Sequence, residues 1–480
     1  MVCLKKKFSI GYLYFILPFL AFFFLNFSRE FDFWFLLAHG RYVLSNGFPH
    51  VEFLTIHSGL HFVMQQWASS VLLYSIYQYF GSVGIIFLLF LIDGLFLYSI
   101  YHFCLFLSLN NSYVSCFISS IVVVFFELFF LVPRPQIFSL FLFLIVTILF
   151  EKYSFHHQKI YLLFLPIISF FLIQLHASMW PILLVLFLPY LVEYSFLFIV
   201  KKQKNVLKDL FLLLISFLVS FLFGFLNPYG WEAMTYSFRS YGISDIFEMH
   251  PFSFVGDFSL VFVSVSFLIF FLFEGFLIFR FPNKFSYHTI LLFLGLSFMS
   301  FINVRNVSLF IVLIFPYTVC AFPAYSHDEI LVPIIWKILI LFVCCFSVLF
   351  CYRDYSFDIQ SLQNVRSILN QYSMEDVVLF TPFSEGSYFE YYGYSSYIDS
   401  RAEVFLKVNN YKKDILLEYI DVLDTSIDYD AFLRNYSFTH LLTKKNMAIT
   451  SYLYNHNQYS ILYQDEFYVL FIHSSEEVVL

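Results

Sequence analysis

Charge is what this 480-residue chain has least of: only 12% of it is Asp, Glu, Lys or Arg, about half of the roughly 25% usual in soluble domains. With 60% hydrophobic and 24% aromatic residues, a water-facing surface could not cover such a core, so a wholly soluble protein is excluded. The net charge of -7 offers no basic footprint for nucleic acid. Cysteine pairing signals are also missing. Cys3, Cys104, Cys116, Cys320, Cys344, Cys345 and Cys351 lie in or beside apolar segments without CxxC or zinc-finger spacing, and read as small buried hydrophobes. No small-residue cleavage site follows Lys5-Lys6-Lys7 and its apolar run, which makes that run a retained first helix and not a signal peptide. Phe stands where Leu is more usual; both bury similar area in lipid, so the bias reads as genome composition.

What is present falls into two regimes. Residues 1–352 are membrane-like, with charge confined mostly to short connections, whereas 353–480 are polar and hold more than half of the 33 acidic residues. Apolar runs near 11–27, 83–107, 113–132, 136–150, 160–175, 179–200, 209–226, 258–279, 287–302, 307–322 and 332–352 predict about eleven transmembrane helices. The stretch 67–80, about 14 residues, is short for a span and predicts a helix lying in the interface. With the amino terminus inside, Lys5 to Lys7, Lys152, Lys159, Lys201, Lys202, Lys204, Lys208, Arg280, Lys284 and Lys337 fall on or near the inner side, as the positive-inside rule requires. An odd helix count then puts the C-terminal domain outside, on the side of the long first loop 28–66.

That loop is dense in polar and aromatic groups: Glu30 and Asp32 one residue apart, then His39, Arg41, Glu52, His57, His61, Gln66 and Trp67. Two neighbouring carboxylates in the low dielectric beside a membrane can act on a metal or a hydroxyl proton; acidic pairs at membrane edges are also often solvated ends. Loops this long are functional or disordered, and the aromatic content argues against disorder, although Trp34 and Trp67 also suit interfacial anchoring. The shorter outer connections carry Arg134, His176, and Arg305 with Asn306, where a lipid phosphate would lie; a guanidinium fork suits phosphate, and snorkelling or pairing with Glu127 is the competing account. A second long outer loop supplies Glu248. Asp93, inside a span, is an ionisable group at membrane depth, for helix packing or for chemistry.

In this order and spacing, the segments resemble bacterial polytopic membrane proteins related to the GT-C superfamily of lipid-linked-sugar glycosyltransferases. The first loop of that group reads roughly D-x-D-x-W-W-H-L-A-x-G-R, then P-x-x-D, then E-W; here these are Glu30 to Arg41, Pro49 to Glu52, and Gln66-Trp67. Arg134-Pro135-Gln136, Leu175-His176, Asn227-Pro228-Tyr229-Gly230, Glu248, Arg305-Asn306 and Ile398-Asp399-Ser400-Arg401-Ala402-Glu403 extend the likeness over almost the whole chain. Glu30 replaces the first Asp, Phe35 the second Trp, Leu36 the His, Glu52 an Asp and Gln66 a Glu, so altered or lost activity is open.

The resemblance implies a GT-C-like helical membrane domain and transfer of a sugar from a polyprenyl-phosphate carrier to an extracytoplasmic glycan, lipid or protein acceptor in the bacterial plasma membrane. It would make Asp32 or Glu30 the base, with Arg134 and Arg305 holding the leaving phosphate and Glu52 and Glu248 orienting the acceptor or a divalent cation. Arg41, His176 and Asn306 join the substrate-binding set. Some relatives use Mg or Mn and others do not; Asp32 and Glu30 would be the ligands. A transporter or flippase of lipid-linked glycans, and a catalytically silent scaffold of the same fold, are the alternatives.

In 353–480, helix and strand signals alternate: helices near 362–371, 385–392, 404–418, 429–435 and 447–455, strands at 377–380, 396–399 and 440–443, and a closing hairpin, 459–463 with 467–472. That pattern predicts a small extracytoplasmic α/β domain. Asp399 and Arg401 follow a strand, where α/β sheets present binding residues; an internal ion pair fixing the loop is the other account. With no Gly-rich phosphate loop or nucleophile elbow, the domain reads as a lid or acceptor-recognition module.

Overall fold

The computed structural model describes residues 31–240, 250–256, 258–322 and 359–474. The first and last predicted helices, Glu30 and Glu248 lie outside the described residues. The chain packs as two compact units, and the division does not follow sequence order. Described residues 86–234, 250–256 and 258–322 form a helical unit, and 31–85, 235–240 and 359–474 a mixed unit.

In the helical unit, every apolar run predicted between 83 and 322 is helical. Six helices of the described chain are long and apolar enough to cross a membrane, and Val114–Glu127, Ile160–Leu175 and Tyr287–Ile302 are shorter apolar helices. The helices Lys204–Phe223 and Leu260–Arg280 are each only 22% buried over their apolar stretch, leaving Phe211, Leu218, Ile269 and Phe276 outside. In water such faces would aggregate, so they meet lipid. Val304–Ala321, 83% buried, is the innermost. Its second half departs from the expected α-helix: Phe315–Ala321 is 3-10, because Pro316 has no N–H to give the preceding turn. The predicted break between 67–80 and the following span falls at Gly81, where the helix Trp67–Leu107 kinks with φ 60 and ψ -154, a conformation open to glycine.

The mixed unit is built on a four-stranded sheet of order β1-β2-β4-β3, with β1 Leu379–Phe380, β2 His440–Lys444, β3 Tyr459–Gln464 and β4 Tyr468–His473. β1 pairs parallel to β2, and β4 runs antiparallel to both β2 and β3. Leu379, Phe380, Leu441, Leu442, Val469, Leu470 and Phe471 make its buried centre. The helices Ile359–Leu369, Gly386–Tyr391, Ile415–Leu423, Tyr429–Tyr436 and Ala448–Leu453 surround it.

Two expectations for this unit are corrected. The strand expected at 396–399 is reduced to isolated bridges from Ser396 to Leu379 and to Thr55, because Asp399 binds the backbone N–H of Arg401 and turns the chain. The helix expected over 404–418 is cut into short pieces ending in Ile415–Leu423. Asn410 donates to the carbonyls of Val404 and Lys413 and accepts from the N–H of Lys412 and Lys413, and Tyr411 is left-handed at φ 63; together they close a turn where a helix would continue.

The first loop belongs to this unit. It folds back on itself through the antiparallel bridge Val51–His61, and the Ile56 N–H donates to the Ser396 carbonyl at 2.9 Å. Its helix Asp32–Asn46 lies close against 67–80: a Cβ on Gly40 would stand 2.2 Å from the Ser70 carbonyl oxygen.

Candidate functional site

Polar side chains collect in two places, one per unit. In the mixed unit the centre is Arg401, 4% exposed. Its Nε donates to both carboxylate oxygens of Asp399 at 2.9 Å, and Nη2 donates to Asp399 Oδ2 and, at 2.9 Å, to Glu52 Oε1. Nη1 donates to His39 Nε2 at 3.1 Å, so the ring proton of His39 sits on Nδ1. Phe62 and Phe35 lie 5.5 and 5.9 Å from the guanidinium.

Glu52 is fully engaged. Its oxygens also accept from Leu54 N at 2.8 Å, Thr55 N at 3.1 Å and Thr55 Oγ1 at 2.6 Å. Burial alone would raise this carboxyl, but Arg401 and those donors outweigh it and hold it below the usual range. Burial and then the facing Arg401 push His39 well below ordinary histidine, so it is neutral. Burial and the neighbouring Asp399 push Glu390 well above the carboxylate range. Arg401 itself would be lowered by burial, but Asp399 and Glu52 raise it. The group is therefore one buried guanidinium held between Asp399 and Glu52, with a neutral His39 and the raised carboxyl of Glu390 beside them.

The same unit holds Glu403, which accepts from Gln65 Nε2 at 3.2 Å and from Tyr236 OH at 3.1 Å. His57 Nε2 donates to the Tyr397 carbonyl at 2.8 Å; burial keeps this ring below ordinary histidine. Asp32 opens the helix Asp32–Asn46 in its first turn, where a carboxylate meets the helix dipole. Arg41, about two and a half turns on, is exposed and stacks over Tyr391 at 5.4 Å.

In the helical unit the family-like segments form end caps. His176 is buried and its Nδ1 pairs with Ser139 Oγ at 2.7 Å, within electrostatic range of Arg305. Asn227 closes the Asn-Pro-Tyr-Gly turn by donating to the Gly224 and Gly230 carbonyls and accepting from Tyr229 N. Asn306 donates to the Met299 carbonyl at 3.1 Å, which seals a helix end. Arg134 lies half-buried in the turn before the helix Gln136–His156.

Several charged groups in the spans have partners that no sequence neighbourhood reveals. Asp93 lies within electrostatic reach of Glu127. His288 lies between two acids: Nε2 is 2.8 Å from Glu151 Oε1 and Nδ1 pairs with Glu193, while Tyr190 and Tyr317 donate to Glu151 at 2.9 and 2.5 Å. The one available signal was ionisable residues inside apolar runs. Among the described residues no three His, Cys, Asp or Glu converge as metal ligands.

The architecture has counterparts among solved structures. The oligosaccharyltransferase of Archaeoglobus fulgidus in its apo form superposes with a TM-score of 0.61 at 10% identity, covering 92% of this chain and 70% of that one. The fold is of the GT-C type. The same archaeal enzyme tethered by a disulfide to an acceptor peptide containing the NVT sequon gives a TM-score of 0.57 at 10% identity, over 92% and 69% of the two chains. No family model and no curated protein matches the chain. The likeness is thus one of fold, carried by packing and topology at 10% sequence identity.

Proposed function

We propose that this GT-C-fold membrane protein is a glycosyltransferase that moves a sugar from a polyprenyl-phosphate carrier to an extracytoplasmic glycan, lipid or protein acceptor. The observation that carries the reading is the oligosaccharyltransferase fold over 92% of the chain; the acceptor peptide in the second archaeal structure favours including proteins among the acceptors. In this reading residues 1–352 are the membrane domain of a bacterial plasma-membrane protein with its amino terminus inside, and 353–480 work outside.

Asp32, with Glu30 beside it in sequence, takes the proton from the acceptor hydroxyl. The hydroxyl oxygen attacks the anomeric carbon, the bond from that carbon to the carrier phosphate breaks, and the phosphate leaves with the electron pair. Arg134 and Arg305 meet the growing negative charge, and Glu248 orients the acceptor. His176 and Asn306 shape the phosphate side, through Ser139 and a sealed helix end. Glu52, Asp399 and Arg401 act as positioning residues, since their polar atoms already serve one another.

The test is transfer from a radiolabelled polyprenyl-phosphate sugar by Asp32→Asn. Loss of a general base lowers turnover by about 10²–10⁴-fold, with the melting temperature unchanged. Full activity in the variant removes Asp32 from its role. Asp93, an ionisable group inside a span with Glu127 in electrostatic reach, favours flipping of lipid-linked glycan as a second reading. Carrier translocation that survives Asp32→Asn but stops in Asp93→Leu would select it.

A further inference from the structure

One surface of the mixed unit is not used by the chemistry above. The outer face of the helix Asp32–Asn46 repeats at helical spacing through Arg41, Tyr42, Ser45 and Asn46, and with Phe53, Glu390, Tyr394 and neighbours it lines a concavity of about 320 Å³. Arg41, Ser45 and Asn46 are exposed there. Tyr42 stacks on Phe53 with ring centres 3.7 Å apart, which gives the concavity a flat aromatic wall.

Glu390 is only 2% exposed. Its Oε1 accepts from Ser396 Oγ at 2.5 Å, while Oε2 has no hydrogen-bond partner among the described residues. A buried polar atom left unbonded costs free energy, and this one belongs to a residue lining a concavity. Burial and Asp399 raise this carboxyl, and its free oxygen can accept from a hydroxyl. An aromatic wall, an amide, a hydroxyl and a buried carboxyl are the chemistry that takes a sugar ring, and an exposed guanidinium at the edge adds selection for an anion.

We infer that this concavity is a saccharide subsite, which takes a sugar bearing a carboxylate or phosphate group, with Glu390 bonding a ring hydroxyl and Arg41 the anionic substituent. It deepens the transferase reading by naming an acceptor class, and rests on that reading only for calling the sugar an acceptor.

The experiment is saturation-transfer NMR on the full-length protein in detergent, with glucuronate, glucose 6-phosphate and glucose as probes. The expected result is binding of at least one of the two anionic sugars about threefold or more tighter than glucose; which one does so distinguishes carboxylate from phosphate. Arg41→Ala removes that preference, and Ser45→Trp, at an exposed helix position, blocks all binding. Glu390→Gln keeps a donor and an acceptor and retains binding, whereas Glu390→Leu loses about tenfold. No saturation of either anionic sugar, no preference over glucose, or binding indifferent to Ser45→Trp overturns the inference. Binding without sugar transfer from the polyprenyl donor leaves the subsite standing and removes the transferase; transfer without binding does the opposite.

Discussion

Replacing Arg401 by Met would leave Asp399 and Glu52, both under 5% exposed, as two buried carboxylates without their cation. Each would lose its guanidinium bonds, and the neighbouring Glu390, an acid, offers no counter-charge. Breaking a buried pair by removing one partner costs about 3–5 kcal/mol. The loss should be read where the network ties the first loop, at the N–H groups of Leu54 and Thr55, which donate to Glu52. Hydrogen exchange of peptides spanning 52–60 should therefore accelerate by about a hundredfold to a few thousandfold, at roughly 1.4 kcal/mol per tenfold, while peptides of the helical unit keep their rates. Glu52→Gln, which keeps a side-chain carbonyl to accept one N–H, should cost less, about 1–3 kcal/mol. Acceleration below about threefold in Arg401→Met would refute the view that this ion group holds the loop.

Acid should act on the same region in two directions: His39 and Glu52 lose stability as pH falls, whereas the raised Glu390 contributes stability below about 4.5 that is lost as pH rises. Because His39 has a folded pKa well below its ordinary 6.5, the unfolded chain takes the proton first, so stability is lost as pH falls from about 6.5 towards the folded value. Glu52, also depressed, adds a further loss below about 4.5. His39→Gln should flatten the upper part of that profile in a pH series of melting temperatures. Gly386→Ala should destabilise the mixed unit by about 1–3 kcal/mol or more, since its Cβ would sit 2.1 Å from the Ile398 carbonyl oxygen; chemical denaturation measures this. His288→Leu strands Glu151 and Glu193 and should cost about 3–5 kcal/mol, seen as a lower melting temperature in detergent. A melting temperature equal to that of the parent would mean the His288 pairs contribute nothing net.

Much of the helical unit was legible in advance because a span must satisfy its backbone internally and bury about 20 apolar residues. Each run between 83 and 322 therefore announced a helix, and even the break at Gly81 lay where the pattern had a gap. The Pro316 change to 3-10 was readable in principle, being a local rule. In the C-terminal segment the hairpin Tyr459–Gln464 with Tyr468–His473 followed from alternation and turn residues. The segments at 396–399 and 404–418 had strand and helix propensity but met side-chain bonds from Asp399 and Asn410, which pattern does not register.

By itself the sequence determined that this is a membrane protein with many spans and a polar C-terminal module, because hydropathy and charge act locally and need no knowledge of partners. Which charged residues meet one another, by contrast, depends on contacts made far apart in the chain. Glu52 looked like a candidate acid beside Asp32, and Asp399 with Arg401 looked like a loop pair. Folding brings all three to one point with His39 and Glu390, across more than 300 positions of chain between Glu52 and Arg401, and turns two motifs into a single buried ion group. A carboxylate's role depends on what lies within about 4 Å of it, and for a residue whose partner is that distant in the chain, spacing carries no trace of the meeting.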